Sequence, residues 1–351
     1  MAMTKKIPAY GARAAKGPLV PMTIERREPG AHDVEMEILY CGICHSDVHK
    51  VNNDWGNTHF PIVPGHEIIG RVISRGASAT RFHQGELVGV GCIVDSCRKC
   101  PECRAGREMF CSEGVTISFD SLERNGKART YGGYSTSMVV DERYVLRIPE
   151  GLDPARAAPL LCAGITTYSP LRQFNCKQGD QVGVVGLGGL GHMVVKLATS
   201  MGADVTVLST SRDKERDATR LGAKHFVATK EPGALDKVAE TFDLVVDTVS
   251  APHDFNQELG LLRSFGALVL VGLPPGSIMV SPGMLIHGNK RLAGSNIGGI
   301  AETQEMLDYC GKNGILADVE IIKASQINDA YARMQSNDVR YRFVIDVASM
   351  R

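Results

Sequence analysis

Residues 181–212 read QVGVVGLGGLGHMVVKLATSMGADVTVLSTSR, and the order of their parts leaves little choice of local fold. A short β-branched run is followed by a cluster of glycines, then by apolar residues spaced three and four apart, then by a second β-rich run. This change of period is that of a βαβ unit. Gly186, Gly188, Gly189 and Gly191 fall between strand and helix, where absent side chains let a pyrophosphate reach the backbone and the helix N-terminus. Alone, such a turn says little; inside this unit it predicts a dinucleotide site. Strand-like runs follow at 225–229 (HFVAT), 242–249 (FDLVVDTV) and 266–273 (GALVLVGL), with helical stretches between them. That alternation predicts an α/β protein with a doubly wound parallel sheet.

The end of the second strand bears on which dinucleotide is bound. A free 2′-hydroxyl on the adenine ribose is served by a carboxylate, and a 2′-phosphate by hydroxyls and cations. The sequence there is Ser209, Thr210, Ser211, Arg212, Asp213, Lys214. Ser209 stands at the acidic position with Arg212 and Lys214 close behind, which favours NADP(H). Asp213 has two readings: a partner for the ribose of NADH, or the N-terminal turn of the next helix.

At 351 residues the chain is long enough for two domains. Lys plus Arg and Asp plus Glu both number 39, so no net field draws it to nucleic acid or an anionic membrane. The partner expected is a small neutral molecule. The N-terminal MAMTKKIPAYGARAAKGPL has no apolar run behind its basic residues and no later stretch suits a membrane span, so a cytoplasmic location is expected. In reducing cytosol the ten cysteines are metal ligands, reactive thiols or core filler rather than disulfides.

Four of them, Cys97, Cys100, Cys103 and Cys111, fall within CRKCPECRAGREMFC. Pro101 and Gly106 turn the backbone, and Arg98, Lys99, Arg104 and Arg107 are placed to offset thiolate charge. This spacing predicts a closed tetrahedral zinc, which has no open position for substrate and is therefore structural. Further metal-capable side chains occur in CGICHSDVH (41–49) and VPGHEIIG (63–70).

CGICHSDVH, GHE, the four-cysteine lobe and GLGGLG, in that order, resemble the zinc-dependent alcohol dehydrogenases of the medium-chain dehydrogenase/reductase family, over nearly the whole chain. WGNTHFPIVPGHEIIG, TYGGYS (130–135), LLCAGITTYSPL (160–171) and DVRYRFVIDV (338–347) are similar to its cinnamyl-alcohol dehydrogenase branch and the bacterial broad-range aldehyde reductases. The resemblance implies a Rossmann doubly wound parallel sheet inserted after a GroES-like β-rich catalytic domain. Residues 1–152 would be the catalytic domain with both zinc sites, 153–290 the NADP(H)-binding domain, and 291–351 a return segment completing the first, with the active site in the cleft between domains. A homodimer is expected.

It further implies a catalytic zinc on Cys44, His66 and Cys162. Asp47 would orient His66, Glu67 would sit behind the metal, Ser46 would hand a proton to the reacting oxygen, and His49 would reload Ser46 through the nicotinamide ribose. Thr166 and the backbone at Val271 would meet the nicotinamide end, and His45 and Arg342 the pyrophosphate, although each of these four also reads as an ordinary core or surface residue. The implied reaction is hydride transfer between NADP(H) and an alcohol or aldehyde. A polyol dehydrogenase of the same superfamily commonly has a carboxylate where Cys162 stands, and the intact set Cys44, His66, Cys162 and Ser46 argues against a non-catalytic nucleotide-binding regulator. For the substrate, Trp55 and Phe119 either line an aromatic pocket or pack locally. Thr116 and Asn296 fall near positions that are bulkier in some cinnamyl-alcohol dehydrogenases, which favours a broad aldehyde range.

Overall fold

The computed structural model describes residues 4–124, 126 and 128–351, and the chain divides into two compact units. The first comprises residues 1–162 and 298–351, the second residues 163–297.

In the first unit the strand Asp33–Ile43 is the organising element. Val34, Met36 and Ile38 alternate into the core, and the intervening Glu35 is buried but satisfied by Lys5 Nζ at 3.1 Å and Ser74 Oγ at 2.7 Å. Ile68–Arg75 pairs along one edge of the strand. The other edge is shared by Ser137–Asp141 on its first half and Arg342–Asp346 on its last residues. Leu87–Val90 and Leu146–Arg147 extend the sheet on one side and Val319–Lys323 on the other. The strand ends at Ile43, which sets Cys44 at the N-cap of the helix His45–Asn52.

The TYGGYS motif gains a packing reason here. Gly132, Gly133 and Tyr134 donate backbone N–H groups to Val63, Gly65 and Pro64 at 2.8–3.0 Å, clamping the segment that carries His66. A Cβ on Gly133 would lie 2.5 Å from Ile68 Cγ1 and 2.7 Å from Cys41 Sγ, so no larger residue fits.

The second unit is a six-stranded all-parallel sheet ordered His225–Ala228, Asp204–Ser209, Gln181–Val185, Phe242–Asp247, Leu262–Leu270, Arg291–Gly294. Both expected domain limits need correction. Residues 154–161 pack under the strands of the first unit, so the division falls after Cys162 rather than after residue 152. Arg291–Gly294 pairs in parallel with Ala267–Leu270 as the sixth strand, so the return to the first unit begins at Gly298 rather than at Arg291. RLAG is too short to show strand periodicity; its neighbour in the sheet defines it.

Candidate metal and nucleotide sites

Cys44 and Asp47 cap their own helix reciprocally. The Cys44 sulfur accepts the Asp47 N–H, and Asp47 Oδ2 accepts the Cys44 N–H at 2.9 Å. The same carboxylate accepts from Gly65 N at 3.0 Å, His66 Nδ1 at 3.0 Å and the Tyr134 hydroxyl at 3.4 Å. With Nδ1–H committed to Asp47, the lone pair of His66 is on Nε2, the arrangement of a metal-binding histidine. Ligand atoms of Cys44, His66, Glu67 and Cys162, all four buried, lie within 4.8 Å of one another.

Residues 44, 66 and 162 are thus brought together from three separate stretches. Cys44 Sγ and Cys162 Sγ are 4.0 Å apart. Two sulfurs bound tetrahedrally to zinc at about 2.3 Å would be about 3.8 Å apart, so the pair fits zinc. Cys162 shares its proton with Cys44, holding the Cys44 thiol well below its ordinary range, with Arg342 and His66 assisting. Burial pushes Glu67 up to about 8 despite the neighbouring Arg342. Its Oε2 is buried without a hydrogen-bond partner. Ser46 Oγ is 3.8 Å from Cys44 Sγ.

Arg342 is 4% exposed and ion-paired with Glu67, so its guanidinium supplies counter-charge to the metal site, while its Nε is buried without a hydrogen-bond partner. His45 is exposed at the first position of the helix, its ring 6.5 Å from that of His49. His49 is 40% exposed, pairs with Asp54 at 2.8 Å, and lies 5.4 Å from the ring of Trp55. Trp55 is 44% exposed. Phe119 is buried and stacked 5.9 Å from the His66 ring. Thr116 is buried on a short strand opposite Asp95, and Asn296, in the second unit, is exposed.

A further sulfur stands near this set: the neighbouring Cys162 thiol draws the Cys92 thiol below its ordinary range. The run GVGCIVD carries no spacing to any ligand, so only the folded chain reveals this further sulfur.

The second sulfur cluster matches its spacing. Ligand atoms of Cys97, Cys100, Cys103 and Cys111 lie within 4.8 Å of one another, with Cys97 and Cys103 sulfurs 3.8 Å apart. Backbone N–H groups of Cys97, Cys100 and Cys103 donate to sulfurs at 3.3–3.4 Å, a pattern that stabilises thiolates. The charge-offset expectation is corrected. Arg98, Lys99 and Arg107 pair with Asp95, Glu113 and Glu102, and the guanidinium reaching a sulfur is that of Arg124, 3.6 Å from Cys111. Near-neighbour carboxylates outcompete the sulfurs for the first three.

In the second unit the glycine turn joins Gln181–Val185 to the helix Gly191–Ser200. Gly186 has φ +85°, and a Cβ on Gly191 would lie 2.0 Å from the Gly186 carbonyl oxygen, so these two glycines serve the turn itself. Gly188 is exposed with nothing within 4 Å of a Cβ, and Gly189 is half-buried. Ser209 ends its strand buried, Thr210 is exposed, and Ser211 accepts the Asp213 N–H, placing Asp213 in a helical first turn. Lys214 Nζ donates to Leu187 O at 3.0 Å, which carries its charge to the glycine turn. Arg212, itself exposed, pairs with Glu231 and Glu215 at the surface. Thr166 is buried on the helix Ala163–Gln173, and Val271 donates its N–H to Asp247 O at 2.9 Å.

A β-rich unit with one open Cys–His–Cys set and one closed four-cysteine set, followed by a six-stranded nucleotide-binding sheet, defines a zinc-binding dehydrogenase. The alcohol dehydrogenase GroES-like domain matches residues 30–150 and the zinc-binding dehydrogenase domain residues 189–312. The chain belongs to the zinc-dependent alcohol dehydrogenases of the medium-chain dehydrogenase/reductase family. It is 52% identical to NADP-dependent alcohol dehydrogenase C 1 of Mycolicibacterium smegmatis over 98% of this chain and 99% of that one. It is 51% identical to aldehyde reductase YahK of Escherichia coli over 97% and 98%. A solved cinnamyl alcohol dehydrogenase (SbCAD4) from Sorghum bicolor superposes with a TM-score of 0.96 at 43% identity, covering 99% of each chain.

Proposed function

We propose that this protein is an NADP(H)-dependent zinc alcohol dehydrogenase that works as a broad-range aldehyde reductase, interconverting primary alcohols with aromatic, cinnamyl-type or aliphatic aldehydes. The observation that carries this reading is the convergence of Cys44, His66 and Cys162 beside the hydroxyl of Ser46. The named activities of the mycobacterial, Escherichia coli and sorghum relatives support NADP dependence, aldehyde reduction and a cinnamyl-type substrate in turn. When bound, zinc supplies a Lewis acid for the substrate oxygen, and the nicotinamide gives or takes the hydride.

The chain's own residues do the rest. Cys44, His66 and Cys162 hold the metal, and Asp47 fixes the His66 tautomer. Arg342 and Glu67 balance charge behind the thiolates. Ser46 donates its hydroxyl proton to the substrate oxygen as negative charge develops there in reduction, and takes one up in oxidation. His49 follows at three residues on the same helix face and, being partly exposed, exchanges that proton with solvent. In the second unit the glycine turn receives the pyrophosphate, while Ser209, Thr210 and Lys214 receive the 2′-phosphate. Two copies associate through the second unit, where Phe265, Leu273, Met279 and Ile286 are exposed apolar residues.

The test is steady-state reduction of a panel of aldehydes with each cofactor. Benzaldehyde, cinnamaldehyde and short aliphatic aldehydes are expected to be reduced, with NADPH favoured by about tenfold or more, since one charge-assisted hydrogen bond is worth roughly 1.5–3 kcal/mol. Equal efficiency with NADH would remove the phosphate pocket, and no reduction with either cofactor would remove the assignment.

A further inference from the structure

A third group of metal-capable side chains, without sulfur, converges in the second unit. Asp247 ends the strand Phe242–Asp247, Glu258 lies on the helix Phe255–Leu261, and His253 is in the loop between them. Asp247 is fully buried and Glu258 is 6% exposed. His253 Nδ1 is 2.8 Å from the Ala251 carbonyl, to which it donates, so Nε2 carries the free lone pair or a second proton.

Nε2 is 3.0 Å from Glu258 Oε1 and 3.2 Å from Asp247 Oδ2, yet makes a hydrogen bond to neither. Both oxygens lie off the axis along which a ring nitrogen carries its proton. Asp247 Oδ2 and Glu258 Oε2 are buried without a hydrogen-bond partner as well. A proton on Nε2 therefore serves this arrangement poorly, and an ion on the same axis serves it well. Ligands bound at about 2.0–2.2 Å and meeting at octahedral to tetrahedral angles are about 3.0–3.5 Å apart, which matches the two separations.

We propose that Asp247, His253 and Glu258 form a third metal site, taking a divalent transition ion of the zinc or manganese kind. One imidazole with two carboxylates suits those ions, whereas magnesium and calcium favour all-oxygen shells. The ion clamps a loop that supports the nucleotide site. Thr248 Oγ1 donates to Val185 O at 2.8 Å and Gly186 O at 3.3 Å, bracing the glycine turn, and the Asp247 carbonyl accepts from Val271 and Gly272 at 2.9 and 3.0 Å.

Equilibrium dialysis of the zinc-loaded protein against Mn²⁺, followed by elemental analysis, tests the site, because manganese does not compete for thiolate ligands held by zinc. The expected result is one manganese or zinc ion per chain beyond the two sulfur-bound zincs, lost in His253→Ala and in Glu258→Gln while the two zincs remain. Only two ions in the unaltered protein, or the same extra ion in the variants, overturns the proposal. The count in the unaltered protein decides even if Glu258→Gln fails to fold.

Discussion

Asp47 shows how much one carboxylate can organise. It caps a helix, fixes the His66 ring, and accepts the N–H of Gly65 beside that histidine. Asp47→Asn places an amide where two acceptor oxygens are needed, so a donor meets a donor. Each buried N–H left unpaired costs about 1–3 kcal/mol. Loss of the partner that orients a metal-bound histidine weakens metal affinity by roughly 10–100-fold. Asp47→Asn is therefore expected to lose one zinc to a mild chelator while keeping the four-cysteine zinc, as read by elemental analysis after dialysis. Retention of both zincs at unaltered affinity would contradict this role. Ser46 acts at a different moment: Ser46→Ala should lower turnover more than it changes the KM for NADPH, because its hydroxyl matters when charge develops on oxygen. Loss of the partly exposed His49 should be milder and relieved by added buffer base. Unchanged turnover of Ser46→Ala across pH would end the relay.

The glycine turn separates two reasons for a missing side chain. Gly191→Ala drives a Cβ against the backbone carbonyl of Gly186, and overpacking of this kind costs about 1–3 kcal/mol. Gly188→Ala meets nothing in the folded chain. The expected outcome is a lower melting temperature for Gly191→Ala, and for Gly188→Ala an unchanged melting temperature with a raised KM for NADPH; equal thermal losses would refute the distinction. One strand away, Ser209→Asp puts a carboxylate where the 2′-phosphate is read, and repulsion should depress NADPH use before NADH use improves. Kinetics with both cofactors check it. In the four-cysteine lobe the metal does the work of a core, since its turns are short and largely half-exposed. Cys103→Ser is accordingly expected to lower the melting temperature and release one zinc, metal binding there being folding energy.

As a whole the molecule has an unfinished surface. Arg291–Gly294 is an edge strand with open backbone groups, and the second unit also exposes Leu273, Met279 and Ile286. Edges and apolar patches of this sort mark association. Sedimentation should find a homodimer, and Leu273→Lys combined with Met279→Lys should shift it to monomer; a monomeric unaltered protein would exclude it. By contrast, no helix among the described residues is long and apolar enough to cross a membrane.

Local patterns carried much of this in advance. The βαβ period, the glycine turn and the spacing of Cys97, Cys100, Cys103 and Cys111 are legible because each depends on neighbours within a few positions, where chain geometry alone brings the groups together. Cys162 in its apolar run, Cys92 with no spacing to any ligand, the Glu67–Arg342 pair and the sixth strand at Arg291–Gly294 depend on partners far away in sequence. No period or spacing records such contacts. Arg212 and Arg342 show the same limit from the other side: their charge is legible in the sequence, but the carboxylates they pair with, Glu231 and Glu67, are brought within reach only by the fold, because attraction between charges falls with distance.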